Sequence, residues 1–146
     1  MEEVREIRVG ELQNAYPIVR QLRKHLSMDD FIELARQMMG NGYRAFCLFT
    51  NGKIVAYTGI AVLTNLYYGK HIWVYELVVD EALQGKGYGK QMLSFVEQYA
   101  KDNSISCIAL SSGLEKVSAH KFYEKSMNYK TTSNVFVKIL NDEGVH

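Results

Sequence analysis

Trp73-Val74-Tyr75-Glu76-Leu77-Val78-Val79, followed after Asp80-Glu81-Ala82-Leu83 by Gln84-Gly85-Lys86-Gly87-Tyr88-Gly89-Lys90, is the stretch on which the fold turns. An apolar run broken by a single carboxylate is the pattern of a strand covered on both faces. The glycines after it mark a tight turn. From Gly87 to about Asp102, Met92, Leu93, Val96, Tyr99 and Ala100 fall on one helical face. Ile105 to Leu110 is a second continuous apolar strand, and a helical connection makes it parallel to the first.

Upstream of this unit the pattern changes. Ile7 to Val9 reads as a short first strand, and Leu12, Ala15, Ile18, Val19 and Leu22 recur at helical spacing. Pro17 belongs in a first turn, which sets the start of this helix late, near Asn14. Ser27-Met28-Asp29-Asp30 carries a capping signal for a second helix, Met28 to Met39, ended by Gly40-Asn41-Gly42. Tyr43 to Phe49 and Ile54 to Leu63 form a hairpin across Asn51-Gly52, a strong short-range turn signal. Tyr67-Tyr68-Gly69-Lys70 turns the chain into His71 to Val79. Downstream, Glu115 to Ser126 reads as a helix and Tyr129 to Leu140 as one or two closing strands. The expectation is one mixed α/β domain over residues 1–146, with about six to seven strands and about four helices.

Composition narrows the function classes. The chain has 146 residues, 47% of them hydrophobic and 23% charged, which suits one globular core. Seventeen basic residues against sixteen acidic ones give a net charge of +1, without the basic excess of a general nucleic-acid binder. The longest nearly apolar stretch, Ile54 to Leu63, falls short of the ~18 residues of a membrane span. The charged N-terminus has no secretory pattern, so a cytoplasmic protein is expected. Cys47 and Cys107 sit in apolar runs as small buried hydrophobes, and the four histidines have no metal-ligand spacing.

The glycine turn joins a strand end to a helix N-terminus, where first-turn N–H groups lack partners and phosphate is the natural guest. A Walker loop fails, because Gly89-Lys90 is followed by Gln91 and Gly85 has no glycine five positions on. A dinucleotide fingerprint fails too, since the spacing is G-x-G-x-G after several strands. Gln84-x-x-Gly87-x-Gly89 instead resembles the pyrophosphate-binding motif of the GNAT N-acetyltransferase superfamily. The resemblance runs from Trp73 to Tyr129 and includes Ala119-His120-Lys121-Phe122-Tyr123-Glu124-Lys125 on the later helix. Two positions depart from the pattern: Lys116 stands where the family often has Asn, and Asn128-Tyr129 where it commonly has Gly-Phe.

The resemblance implies acetyl-coenzyme A as cosubstrate and no metal. The pantetheine arm would pair with backbone groups of Leu77, Val78 and Val79. The diphosphate would meet Gln84, Gly85, Lys86, Gly87, Tyr88, Gly89 and Lys90, with Lys116 a further coenzyme contact. Tyr123 would protonate the departing thiolate. Glu76, the only charge in its strand, is a candidate base for the acceptor amine, against a structural ion pair. His120, three residues before Tyr123 on the same helical face, is the rival base, against a plain surface histidine. Family analogy places the acceptor around Leu26 to Phe31 and Lys130 to Asn134. There Asp29 and Asp30 would attract a cation or simply cap the helix. The reaction expected is direct attack of a primary amine on the thioester in a ternary complex. A non-catalytic coenzyme A-binding sensor or interaction module is the alternative, and a homodimer stays open.

Overall fold

The computed structural model describes residues 1–112 and 117–140. Two compact units divide the chain, Met1–Leu110 and the remainder from Ser111.

The first unit is built on a sheet of five strands: β1 (Glu2–Ile7), β2 (Arg44–Thr50), β3 (Lys53–Asn65), β4 (Gly69–Val79) and β5 (Ile108–Leu110). They lie side by side in chain order. The first four are antiparallel, and β5 runs parallel to β4 through the helix between them, as the apolar pattern predicts. Asn51 and Gly52, with φ of 51° and 81°, close the β2–β3 hairpin in the twisted turn that suits its strands.

Helices α1 (Leu12–Val19) and α2 (Met28–Met39) bury Leu12, Ala15, Ile18, Val19, Phe31 and Ala35 against one face of the sheet, with Ala45, Tyr57 and Val78 beneath. Helix α3 (Tyr88–Asp102) covers the other face, where Met92 packs with Leu48, Val55 and Ala56. Successive β4 residues thus meet different helices: Val78 faces α1 and α2, while Leu77 and Val79 pack in the α3 cluster. That two-sided cover is why the β4 run is continuously apolar.

Three sequence expectations are corrected here. The first strand is Glu2–Ile7, and Val9–Glu11 is a 3-10 turn. Helix α1 begins at Leu12, not near Asn14, and carries Pro17 inside it. Complete burial of Leu12 and Ala15 outweighs the hydrogen bond that proline forfeits, and Pro17 itself faces outward. Cys47 is fully buried as expected, but Cys107 is half-buried.

In the second unit, α4 (Val117–Lys121) runs into a turn of π-helix, Phe122–Ser126. The closing strands expected over Tyr129 to Leu140 do not form, so five strands stand among the described residues where six to seven were expected. Val135, Phe136, Val137 and Leu140 are 66%, 92%, 75% and 86% exposed. Strand propensity is a matter of packing against neighbours, and these residues form no ladder among the described residues.

Candidate active site

The turn after β4 has the geometry an anion site requires. Asp80 caps a short 3-10 turn, Glu81–Leu83, and the chain reaches α3 through Gly85 and Gly87. Both glycines have left-handed φ, 86° and 85°, and a Cβ built on either meets nothing within 4 Å. The sequence requirement is therefore conformational, and the space above the turn is open. Gly87 is the N-cap and supplies no side-chain acceptor to the first-turn amides of α3. The next turn closes normally, with Gln91 N–H donating to the Gly87 carbonyl at 3.0 Å. Gln84, Gly85, Lys86 and Lys90 are exposed, and Tyr88 and Gly89 partly so. A bare helix N-terminus rimmed by two lysines and open to solvent suits a diphosphate.

The strand leading into that turn has an open edge. β5 pairs only with Ile72, Trp73 and Val74. From Tyr75 to Val79, β4 keeps β3 on one side and has no strand on the other among the described residues. Leu77, Val78 and Val79 therefore offer a sheet edge to an extended partner with amide groups, which is what a pantetheine arm is.

Glu76 lies at the head of this edge. It stands opposite Gly59 on β3, and the ladder shifts there so that Ile60 pairs with Val74, leaving Tyr75 as the extra residue of a bulge. The Tyr43 hydroxyl donates to Glu76 Oε1 at 2.5 Å and lies 2.7 Å from the Tyr57 hydroxyl. Thr58 Oγ1 donates to the Glu76 carbonyl at 2.8 Å, and Arg23 Nη2 to the Tyr75 carbonyl at 2.9 Å. Desolvation pushes the Glu76 carboxyl up to about 7, against the opposing pull of the Tyr43 hydrogen bond and the Arg23 charge. Its carboxyl is enclosed by protein although the residue keeps part of its surface accessible. Burial also raises Tyr43 and Tyr57, so both phenols stay neutral. A carboxylate poised near neutrality is suited to taking and releasing a proton.

A cleft of about 280 Å³ opens beside this cluster, lined by Gln37, Met38, Asn41, Tyr43, Ala61 and Tyr75. It lies at the C-terminal end of α2, away from Leu26 to Phe31, which with Lys130 to Asn134 is where family analogy places the acceptor. There Ser27 accepts the Asp30 amide at 3.1 Å, so Asp29 and Asp30 belong to an ordinary helix start. Tyr67, before β4, is exposed and stacked on Tyr68, while Tyr75, within β4's apolar run, reaches the cleft.

Tyr123 and His120 belong to the second unit. Tyr123 is half-buried, with its ring near Phe122 and Tyr129 at 5.3 and 6.1 Å, and burial raises its phenol above the usual range. Its backbone carbonyl accepts the Tyr129 amide at 2.8 Å. His120 is partly buried on α4. Lys116 lies outside the described residues.

Sequence reasoning missed Tyr43, Tyr57 and Arg23 as neighbours of Glu76. One signal was available: Gly59 interrupts a strand interior, which marks close approach of another group. A Cβ there would overlap the Tyr43 hydroxyl and the Glu76 carboxylate. Among the described residues no group of three or more His, Cys, Asp or Glu side chains could hold a metal ion, and no helix is long and apolar enough to cross a membrane.

Comparison with known proteins gives the family and the fold. A sequence model described as "Acetyltransferase (GNAT) family" matches residues 2–129. The chain is 31% identical over 129 residues to YhdJ, an uncharacterized N-acetyltransferase of Bacillus subtilis, covering 88% of this chain and 91% of that protein. It is 25% identical over 148 aligned positions to an aminoalkylphosphonate N-acetyltransferase of Salmonella typhimurium, covering 94% and 91%. In fold it is similar to the aminoglycoside N-acetyltransferase AAC(6')-Iy in complex with CoA, with a TM-score of 0.83 at 12% identity, covering 97% of this chain and 96% of that one. With the glycine turn, the open β4 edge and a match over nearly its whole length, the chain belongs to the acetyltransferase (GNAT) family, as an N-acetyltransferase.

Proposed function

We propose that this protein transfers the acetyl group of acetyl-coenzyme A to a primary amine by direct attack within a ternary complex. The observation that carries the reading is Glu76: a carboxylate held near neutrality at a strand bulge, on the open edge that leads to the α3 N-terminus. Residues 1–146 act as one domain in this reading, supported by a family match that crosses the Leu110–Ser111 boundary.

Bound acetyl-coenzyme A supplies the activated thioester. The amides of Gly85 to Lys90 and the side chains of Gln84, Lys86 and Lys90 hold its diphosphate, and Leu77, Val78 and Val79 pair with its arm. The Val78 N–H is the donor that polarises the acetyl carbonyl. Glu76 accepts the proton of the acceptor ammonium and so frees its lone pair, and the cleft at Tyr43 and Tyr75 is where the amine enters. Tyr123, kept protonated by burial, gives its proton to the departing thiolate. Lys116 is retained as a coenzyme contact on the family pattern alone.

A panel of primary amines assayed for thiol release tests the reading. Release above the amine-free rate supports it; coenzyme binding with no release across the panel points to the non-catalytic binding module. In the pH profile of kcat/KM, Glu76→Gln should remove the acidic limb and His120→Ala should keep it. The reverse pattern transfers the base to His120.

A further inference from the structure

We propose that Tyr43 is a positioning residue for Glu76: its hydroxyl, backed by Tyr57, fixes the carboxyl in one orientation and stabilises its ionised form. The inference rests on the reading of Glu76 as base, but its own observations are geometric. Tyr43 follows the turn that ends α2, where Gly42 has φ of 100° and the Tyr43 amide donates to the Met38 carbonyl at 3.0 Å. That anchoring sends a 5%-exposed side chain over β3, edge-on to Tyr75 with ring centroids 5.5 Å apart. Its hydroxyl lands between the Tyr57 hydroxyl and the Glu76 carboxyl.

Two features show that the sheet is shaped around this contact. Gly59 leaves the volume that the hydroxyl and carboxyl share, since any Cβ there would overlap both. The bulge at Tyr75 sets Glu76 opposite Gly59 rather than in the regular register.

The direction of the chain follows from donor counting. An ionised carboxylate only accepts, so the Tyr43 proton points to Glu76 and the Tyr57 proton to Tyr43. The groups facing Glu76 are Tyr43 from before β2, Tyr57 from β3 and, at longer range, Arg23 from beyond α1, with Cys47 acting on Tyr57. Burial keeps both phenols and the Cys47 thiol neutral, so Glu76 is the member of the cluster that titrates near neutrality.

The test is Tyr43→Phe, which keeps the ring and removes the donor. A hydrogen bond to the charged form lowers a carboxyl's pKa, so its loss should move the acidic limb of kcat/KM up by about one pH unit. Activity should fall roughly 5-fold at pH 7 and largely recover at pH 9. A purely structural role would lower kcat/KM equally at all pH values, and that result would overturn the proposal. A carbon-13 NMR titration of the Glu76 carboxyl in wild type and Tyr43→Phe reads the same shift without any turnover, and an unchanged midpoint also overturns it. Glu76→Gln separates the two readings: if it keeps the limb, the base assignment fails and the titration alone decides the role of Tyr43. Should Tyr43→Phe not fold, Tyr57→Phe serves instead. It leaves the direct contact in place and should shift the midpoint in the same direction by less, while no shift counts against the chain.

Discussion

Glu76 holds opposing demands in one side chain. Its folded-state carboxyl titrates at about 7, above the ordinary 4.5, because burial disfavours the charge more than Tyr43 and Arg23 favour it. Between those two values the folded chain binds more protons than the unfolded one. The wild type therefore has its full Glu76 contribution below about pH 4.5 and loses it as pH rises through about 7. Glu76→Gln, neutral throughout, should escape that loss. Thermal unfolding is expected to show the variant gaining on wild type between pH 5 and pH 8, by an amount on the order of 2 kcal/mol or a few degrees in Tm. A structural ion pair with Arg23 predicts the opposite trend, with the variant falling behind as pH rises. Tyr123 is simpler. Burial holds its phenol protonated, so Tyr123→Phe removes a proton donor and keeps the ring packed with Phe122 and Tyr129. Turnover should fall by ~10²–10⁴-fold with coenzyme affinity nearly intact. Single-turnover measurements check this, because they read chemistry apart from product release.

At the scale of elements, the candidate site is made from two interruptions of regular structure. The bulge on β4 turns Glu76 toward Tyr43, and the left-handed glycines before α3 leave its first-turn amides bare. Gly87 is the sharper test of the second. A Cβ there meets no atom within 4 Å, so the protein should still fold, but an L residue at φ 85° is strained by about 1–2 kcal/mol and would relax the turn. Its Cβ also narrows the approach to the helix end. Gly87→Val should weaken acetyl-coenzyme A binding by at least ~10-fold, on the view that the turn's backbone makes the diphosphate contact. Calorimetry on the folded variant reads this directly, and unchanged affinity would remove the turn from the site. α2 illustrates a different lesson: its bounds follow the sequence signals because Ser27 and Gly40 end it locally, whatever packs against it.

At the scale of the whole molecule, α3 ties the glycine turn to the sheet of the first unit. Met92, fully buried against Leu48, Val55 and Ala56, is its central contact. Met92→Ala should destabilise the first unit by about 2–5 kcal/mol through the cavity it leaves. Urea unfolding checks the value, and coenzyme binding should survive wherever the variant remains folded. The parallel β4–α3–β5 unit, the β2–β3 hairpin and the glycine turn were legible in the sequence, since periodicity, turn chemistry and helix capping act over a few residues. Pro17 inside α1 was not, because burial of Leu12 and Ala15 by distant strands overrides a local penalty. Nor was the absence of closing strands at Val135 to Leu140, where a nearly continuous apolar stretch forms no ladder among the described residues. The sequence by itself determined the chemistry on offer, a glycine-rich helix start and one carboxylate in an apolar strand. Only the tertiary structure decided that Tyr43 and Tyr57, fourteen residues apart, meet at that carboxylate, because a bulge and a glycine on neighbouring strands open the space for them.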